Sequence, residues 1–388
     1  MRVLHVYSGN LFGGIESFLL TLARYDGKVG STRSEFALSY EGRLRQELGR
    51  LGVVVHSLGE ARLREPWTVL RARRRLKRLL ADGAFDLLVC HAPWTQALFG
   101  SIARSARIGA VYWQHDDAKG EHWTERGARL TKPDLAICNS AFTQSTLGLL
   151  FHDIPSIVCR YPVELECERP SLEERAAVRR EFAADDDAVV VIQTSRMQKW
   201  KGQLRHLRAL AGLRDVPGWV SVQVGGPQRP GEQAYFDEVV ATAKQLGIGD
   251  RVRFVGQRSD VPRLLRAADL HCQPNEGPEP FGIAFVEALA AGLPVVTMDI
   301  GAAREIVTPE VGLLAGSEVS LRESLRAVIT NPKLRQALAA AAPARARALC
   351  EPTRQILEIE KAFARVLDAR RPSRSSRGER RAAHEPNL

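Results

Sequence analysis

The chain has 388 residues, 45% of them hydrophobic, and a formal charge of +10. That length normally makes two domains rather than one. No apolar run is long enough to span a bilayer, and the one inside MRVLHVYSG is too short for a secretory signal. The reading is therefore a soluble, cytoplasmic α/β protein that begins with a strand.

Six cysteines, Cys90, Cys138, Cys159, Cys167, Cys272 and Cys350, show no C-x-x-C pair and sit mostly in strand-like segments. They read as reduced core thiols and give a metal site no support. The charge is uneven. Residues 1–160 hold 22 basic against 15 acidic side chains, residues 161–368 hold 27 against 28, and residues 369–388 hold 6 against 2. A basic first half calls for an anionic partner there: lipid headgroups, a phosphorylated compound or nucleic acid.

In chain order, residues 1–7 form an apolar strand, and a turn through Gly13 and Gly14 leads into a helix. Paired glycines permit unusual backbone angles and close approach of a ligand. They do not make G-x-G-x-x-G, so a dinucleotide fingerprint is unsupported. Further strands are expected near 35–40, 53–58, 85–91, 110–114, 134–139 and 157–161. Helical stretches separate most of them, the alternation of a parallel sheet covered on both faces. Among these lies PWTVLRARRRLKRLL, Pro66 to Leu80. Trp67, Leu70, Leu76, Leu79 and Leu80 can share a helix face, with the arginines largely on the other side. Such a helix is either a solvated face or a device for lying on an anionic membrane surface. No motif supports nucleic-acid binding.

His115 and Asp116 end the strand 110–114, at the edge where α/β sheets bind ligands. Ser140 is placed to cap the following helix. Pro162 to Ser171 reads as the domain boundary and hinge. A second alternating unit then starts with a strand at 188–194, followed by Ser195-Arg196 and Lys201-Gly202. Two cations at a strand exit suit a diphosphate, with Lys199 a lesser substitute for Lys201. Strands at 219–224 and 251–255 follow. Arg258 then offers a guanidinium plane for stacking, and Asp260 a helix cap.

A strand at 270–273 delivers PNEGPEPFGIAFVEALAAGLPVV, Pro274 to Val296. Glu279 belongs to its loop. Glu287 is the only charge in an apolar helix starting at Gly282–Ile283, so it needs a polar partner. The free amides of that helix start attract anions. Residues 318–367 are helical in character, and residues 369–388 read as a disordered basic tail.

Glu279-x7-Glu287 in this setting, with R-x4-K-G before it and the G-G-x-E turn at Gly13, resembles the retaining glycosyltransferases of family four. The resemblance implies the GT-B architecture: two facing Rossmann-like domains, residues 1–162 and 163–350, with a donor cleft between them. It also implies a helix over 351–368 crossing back to the first domain. The donor would be a nucleoside-diphosphate sugar, with no further cofactor and no metal. Arg196, Lys201 and the Gly282–Ile283 amides would grip the diphosphate. Glu279 would orient the transferred sugar, Glu287 would accept from the ribose hydroxyls, and the Arg258 loop would receive the base. Gly13 and Gly14 would face the phosphates, and His115 would lie beside the transferred sugar. A glycan or lipid-linked acceptor is implied, in synthesis of cell-surface polysaccharide or glycolipid, with peripheral attachment to the inner face of the membrane and no nucleic acid. Ser195 and the Ala302-Ala303 pair depart from the glycines common in the family. The alternatives are another GT-B chemistry (a nucleotide-sugar epimerase, or a phosphorylase, for which no cofactor lysine stands out) or a non-catalytic, basic, nucleic-acid-binding protein.

Overall fold

The structure is a computed structural model that describes residues 1–10, 12–165 and 170–371. Cys167 and most of the basic tail (372–388) lie outside those residues. The other five cysteines are buried free thiols.

Two parallel sheets organise the chain. The first contains β1 (Arg2–Tyr7), β2 (Arg33–Leu38), β3 (Val55–Ser57), β4 (Leu87–His91), β5 (Gly109–Gln114), β6 (Leu135–Cys138) and β7 (Ser156–Val158), in the order β3-β2-β1-β4-β5-β6-β7. The second contains β8 (Val189–Thr194), β9 (Trp219–Val224), β10 (Val252–Phe254), β11 (Leu270–Gln273), β12 (Val295–Met298) and β13 (Gly312–Ala315), in the order β10-β9-β8-β11-β12-β13. Central strands such as β4, β8 and β9 are buried along their whole length, as expected when helices cover both faces. Strand order reverses at β1/β4 in the first sheet and β8/β11 in the second. Ligands of open α/β sheets bind outside the carboxyl ends of strands at such reversals. At or just beyond the carboxyl ends of those four strands lie Gly13–Gly14, His91, Arg196–Lys201 and Glu279.

The final helix, Pro352–Arg370, packs on the helix Gly14–Tyr25 and on β5, with Phe363 against His5. Arg370 pairs with Asp134 at 3.0 Å, so the residues read as the start of a disordered tail instead end this helix. The two halves also meet at the cleft. Ser140 Oγ donates to the carbonyl of Pro280 at 2.6 Å. The Glu305 carboxylate accepts from the amides of Ala141 (3.0 Å) and Phe142 (2.8 Å), the exposed start of the next helix. Tyr161 packs on Phe281 with ring centroids 4.8 Å apart.

Two expectations from the sequence need correction. In the helix Pro66–Asp82 the buried side chains are Ala72, Leu76 and Leu80, whereas Trp67 and Leu70 are 59% and 52% exposed. They stand on the solvent side with Arg71 and Arg74, because the inward stripe starts one turn later. Asp260 makes no side-chain cap; Arg258 and Arg263 claim its carboxylate instead. Ser140 does cap its helix, accepting from the Thr143 amide at 3.0 Å.

Candidate functional site

The loop after β8 is clamped to the loop after β11. The Trp200 carbonyl accepts from the Glu276 amide at 2.7 Å, and Arg205 donates to the Asn275 carbonyl at 2.6 Å. Gly202 sits at φ +74°, and a Cβ there would lie 1.9 Å from the Pro274 carbonyl oxygen, so only glycine lets these loops touch. This contact brings Lys201 Nζ within 2.8 Å of Glu279 Oε2. Lys201 also lies over the Trp200 ring, 3.8 Å from its centroid. The same carboxylate oxygen accepts from Asn275 Nδ2 at 2.7 Å and from Gln273 Nε2 at 3.3 Å. Glu279 is only 6% exposed, so these donors replace the water it has lost. Sequence reasoning had missed Gln273 and Asn275; their signal was a pair of amide side chains closing an apolar strand just before the glutamate.

Three residues beyond Glu279, Gly282 at φ +100° opens the helix Ile283–Ala290. Phe285 and Val286 donate back to the Gly282 carbonyl, and the amides ahead of that first turn are the helix's unpaired donors. Gly13 and Gly14 belong here for closeness rather than for backbone freedom. Gly13 has ordinary extended angles, while a Cβ on Gly14 would meet Ile283 Cδ1 at 3.3 Å. The turn is fixed by Glu16, which accepts from the Gly13 amide and from the Tyr7 hydroxyl, each at 2.8 Å.

A hollow of about 480 Å³ lies between the halves, and Arg196, Arg258, Ile283 and Glu287 line it together with Phe12 and Arg43. Arg196 is steered by Glu232 at 2.9 Å. Arg258 is held flat by a two-pronged pair with Asp260, both contacts 2.8 Å, and by Glu181 at 3.2 Å. Asp260 thus orients an arginine at the wall of the hollow. Glu287 is half-buried, and among the described residues its carboxylate has no hydrogen-bond partner. Burial raises its pKa to about 7. The polar partner expected for it is not found among the described residues. Lys199, the lesser alternative, faces Tyr235 instead.

His115 is not brought to this hollow. It is 2% exposed, with Nε2 bonded to His91 Nδ1 at 2.9 Å and Nδ1 to the Tyr161 hydroxyl. His91 Nε2 in turn meets His5 Nδ1 at 2.9 Å. Burial lowers the pKa of His5 and His115 to about 3 and of His91 well below its usual range, so the ladder is neutral. The side chain presented at the end of β5 is the next one. Asp116 is solvent-exposed though closely surrounded, and its pKa is raised, by the surrounding protein first and then by the charges of Asp117 and Glu279, with Lys201 and Lys119 opposing. Among the described residues no group of three or more His, Cys, Asp or Glu could hold a metal ion.

Two sheets, each reversing its strand order, put the hollow and the Lys201–Glu279 pair where open α/β folds bind ligands. The family comparisons agree. Residues 12–158 match the model described as Glycosyltransferase Family 4, and residues 174–345 match Glycosyl transferases group 1. A D-inositol 3-phosphate glycosyltransferase of Actinosynnema mirum is 31% identical over 72% of this chain and 71% of that protein. A phosphatidyl-myo-inositol mannosyltransferase of Mycobacterium leprae is 41% identical over 27% of this chain and 29% of that one. The crystal structure of HepE from Anabaena in complex with UDP-glucose superposes with a TM-score of 0.80 at 25% identity, covering 95% of this chain and 100% of HepE. The chain belongs to glycosyltransferase family 4 and has the GT-B fold.

Proposed function

We propose that the protein is a retaining, metal-independent hexosyltransferase that moves a sugar from a nucleoside diphosphate to a glycan or lipid-linked acceptor. The observation that carries this is the unpartnered Glu287 carboxylate in a hollow that also holds Arg196 and the start of the helix at Ile283. A carboxylate without donors beside a cation and free amides is complementary to ribose hydroxyls next to a diphosphate. HepE, whose solved complex contains UDP-glucose, supports a nucleotide-sugar donor.

Cleavage of the bond between the anomeric carbon and the diphosphate puts negative charge on the leaving oxygens and oxocarbenium character on the sugar. Arg196, Lys201 and the Ile283 amides neutralise the first. Glu279, immobilised by Lys201, Asn275 and Gln273, orients the sugar's hydroxyls, and Arg258 presents its plane to the base. We assign no covalent nucleophile to any side chain. The reading is therefore front-face attack, in which the departing phosphate takes the acceptor's proton. His115 acts at one remove, because its carbonyl, held by Asn139 Nδ2 at 2.8 Å, sets the backbone from which Asp116 projects.

The acceptor side points to a membrane. Trp67, Leu70 and Leu63 are exposed beside Arg64, Arg71, Arg74 and Arg78, apolar and cationic groups on one surface. Such a face suits an anionic bilayer. The Mycobacterium leprae relative is named for a lipid, phosphatidyl-myo-inositol. Among the described residues no helix is long and apolar enough to cross a membrane, so attachment would be at the surface. The decisive experiment incubates the protein with a panel of nucleotide sugars and lipid-linked glycans in the presence of EDTA, and reads the anomeric configuration of the product by NMR. An inverted product, or loss of turnover restored by a divalent metal, would overturn the mechanism.

A further inference from the structure

A second hollow, of about 560 Å³, opens at the carboxyl end of β5. Four carboxylates line it, those of Asp116, Asp117, Glu121 and Glu125, against one lysine, Lys119, and no arginine. Glu125 is occupied, accepting from the amides of Lys119 (2.9 Å) and His122 (3.1 Å). Asp116, Asp117 and Glu121 make no salt bridge or side-chain hydrogen bond among the described residues. A separate observation marks the same place. Tyr112 is fully buried in its wall, and its hydroxyl has no partner. A buried hydroxyl left unpaired is costly unless something that enters the hollow satisfies it. The strand end that carries this hollow is tied to the Glu279 loop: Asn139 Nδ2 donates to the His115 carbonyl and its neighbour Ser140 donates to the Pro280 carbonyl, so this hollow adjoins the donor site.

We propose that this hollow receives the reacting end of the acceptor and that its carboxylates select an uncharged or amine-bearing sugar and turn away a phosphorylated one. The proposal rests on the donor-site reading above. Hydroxyls and an ammonium group donate to free carboxylates. A phosphate brought among three of them meets like charge with one lysine to offset it. The basic surplus of the first half is spread elsewhere, on the helix Pro66–Asp82 above all, so net charge misleads about this site. Several relatives are named for D-inositol 3-phosphate; this chain would differ from them at the acceptor.

The test uses the 388-residue chain saturated with UDP, binding being verified first by thermal shift. Glucose, glucosamine and glucose 6-phosphate are then titrated at constant ionic strength and followed by saturation-transfer NMR. Glucosamine and glucose should bind, and glucose 6-phosphate at least roughly tenfold more weakly. In the double variant Asp117→Asn, Glu121→Gln, with its UDP shift intact, the gap should narrow. Equal or tighter binding of the phosphorylated sugar, no binding by any of the three, or a gap unchanged in the variant overturns the inference. Failure of UDP itself to stabilise the protein is a different outcome; it removes the donor-site reading and this inference with it.

Discussion

Burial, with no donor among the described residues to offset it, raises the pKa of Glu287 to about 7. If ribose hydroxyls donate to its ionised form, donor binding must pull that pKa back toward the ordinary glutamate value. Affinity then rises with pH, since the bound state releases a proton that the empty state holds. For a return to about 4.5, only about 3% of empty sites are ionised at pH 5.5, so affinity there should be roughly 25-fold below that at pH 8, about 2 kcal/mol. UDP-glucose is the suitable ligand, because its diphosphate has no proton to lose in this range. Calorimetric titration of the wild type and of Glu287→Gln between pH 5.5 and 8 reads the effect. The wild type should lose affinity as pH falls and the variant should stay flat. A flat wild type, or an equal slope in both, refutes the assignment of Glu287 to the ribose. The same raised pKa has a stability consequence of the opposite sense: without ligand, the contribution is full below about pH 4.5 and is lost as pH climbs through 7.

Lys201→Ala should lower kcat by about a hundredfold or more, as for loss of one electrostatic donor to a transition state, and Glu279→Ala should match it; near-normal turnover of either denies the pair its role. Trp67→Ser with Leu70→Ser should abolish cosedimentation with vesicles rich in anionic lipid while leaving UDP binding untouched, and unchanged sedimentation would dismiss this helix as a membrane contact. Glu305→Ala removes the carboxylate that caps the helix starting at Ala141 from across the cleft. It should cost about 1 kcal/mol in urea unfolding, and an unaltered midpoint would show that the bridge does not hold in solution.

The parallel α/β organisation was legible because apolar strands and helical stretches alternate, and most strands fell within a few residues of their expected positions. β12 and β13 were not: four-residue apolar runs carry no period of their own. Around the site, Arg196, Lys201, Glu279 and Glu287 could be singled out because each follows or enters a recognisable strand or helix and together they resemble the family's motifs. Their different fates could not. Pairing of Lys201 with Glu279 joins residues 78 positions apart in the chain, while Glu287 is left without a partner among the described residues by the same fold. Trp67 and Leu70 were misplaced because a helical stripe has no absolute phase until something packs on it. His115 was expected at the cleft from its resemblance to the family's strand-end histidine, but strand position says nothing about which way a ring turns. Its partners, His5 and His91, come from neighbouring parallel strands whose adjacency the sequence does not print.

That trio of imidazoles has a built-in direction. The amide nitrogen of Asn139 donates to a carbonyl, at His115 (2.8 Å), which identifies it as the nitrogen, and also donates to the Tyr161 oxygen at 3.0 Å. With the phenol's own hydrogen directed to His115 Nδ1, each ring in turn carries its hydrogen on Nε2, and the row ends at His5 Nε2, a buried nitrogen without a partner among the described residues. A single carboxamide at the end of β6 thus sets the tautomer of three rings, and reversing its polarity would reverse every hydrogen along the row as far as the floor of β1.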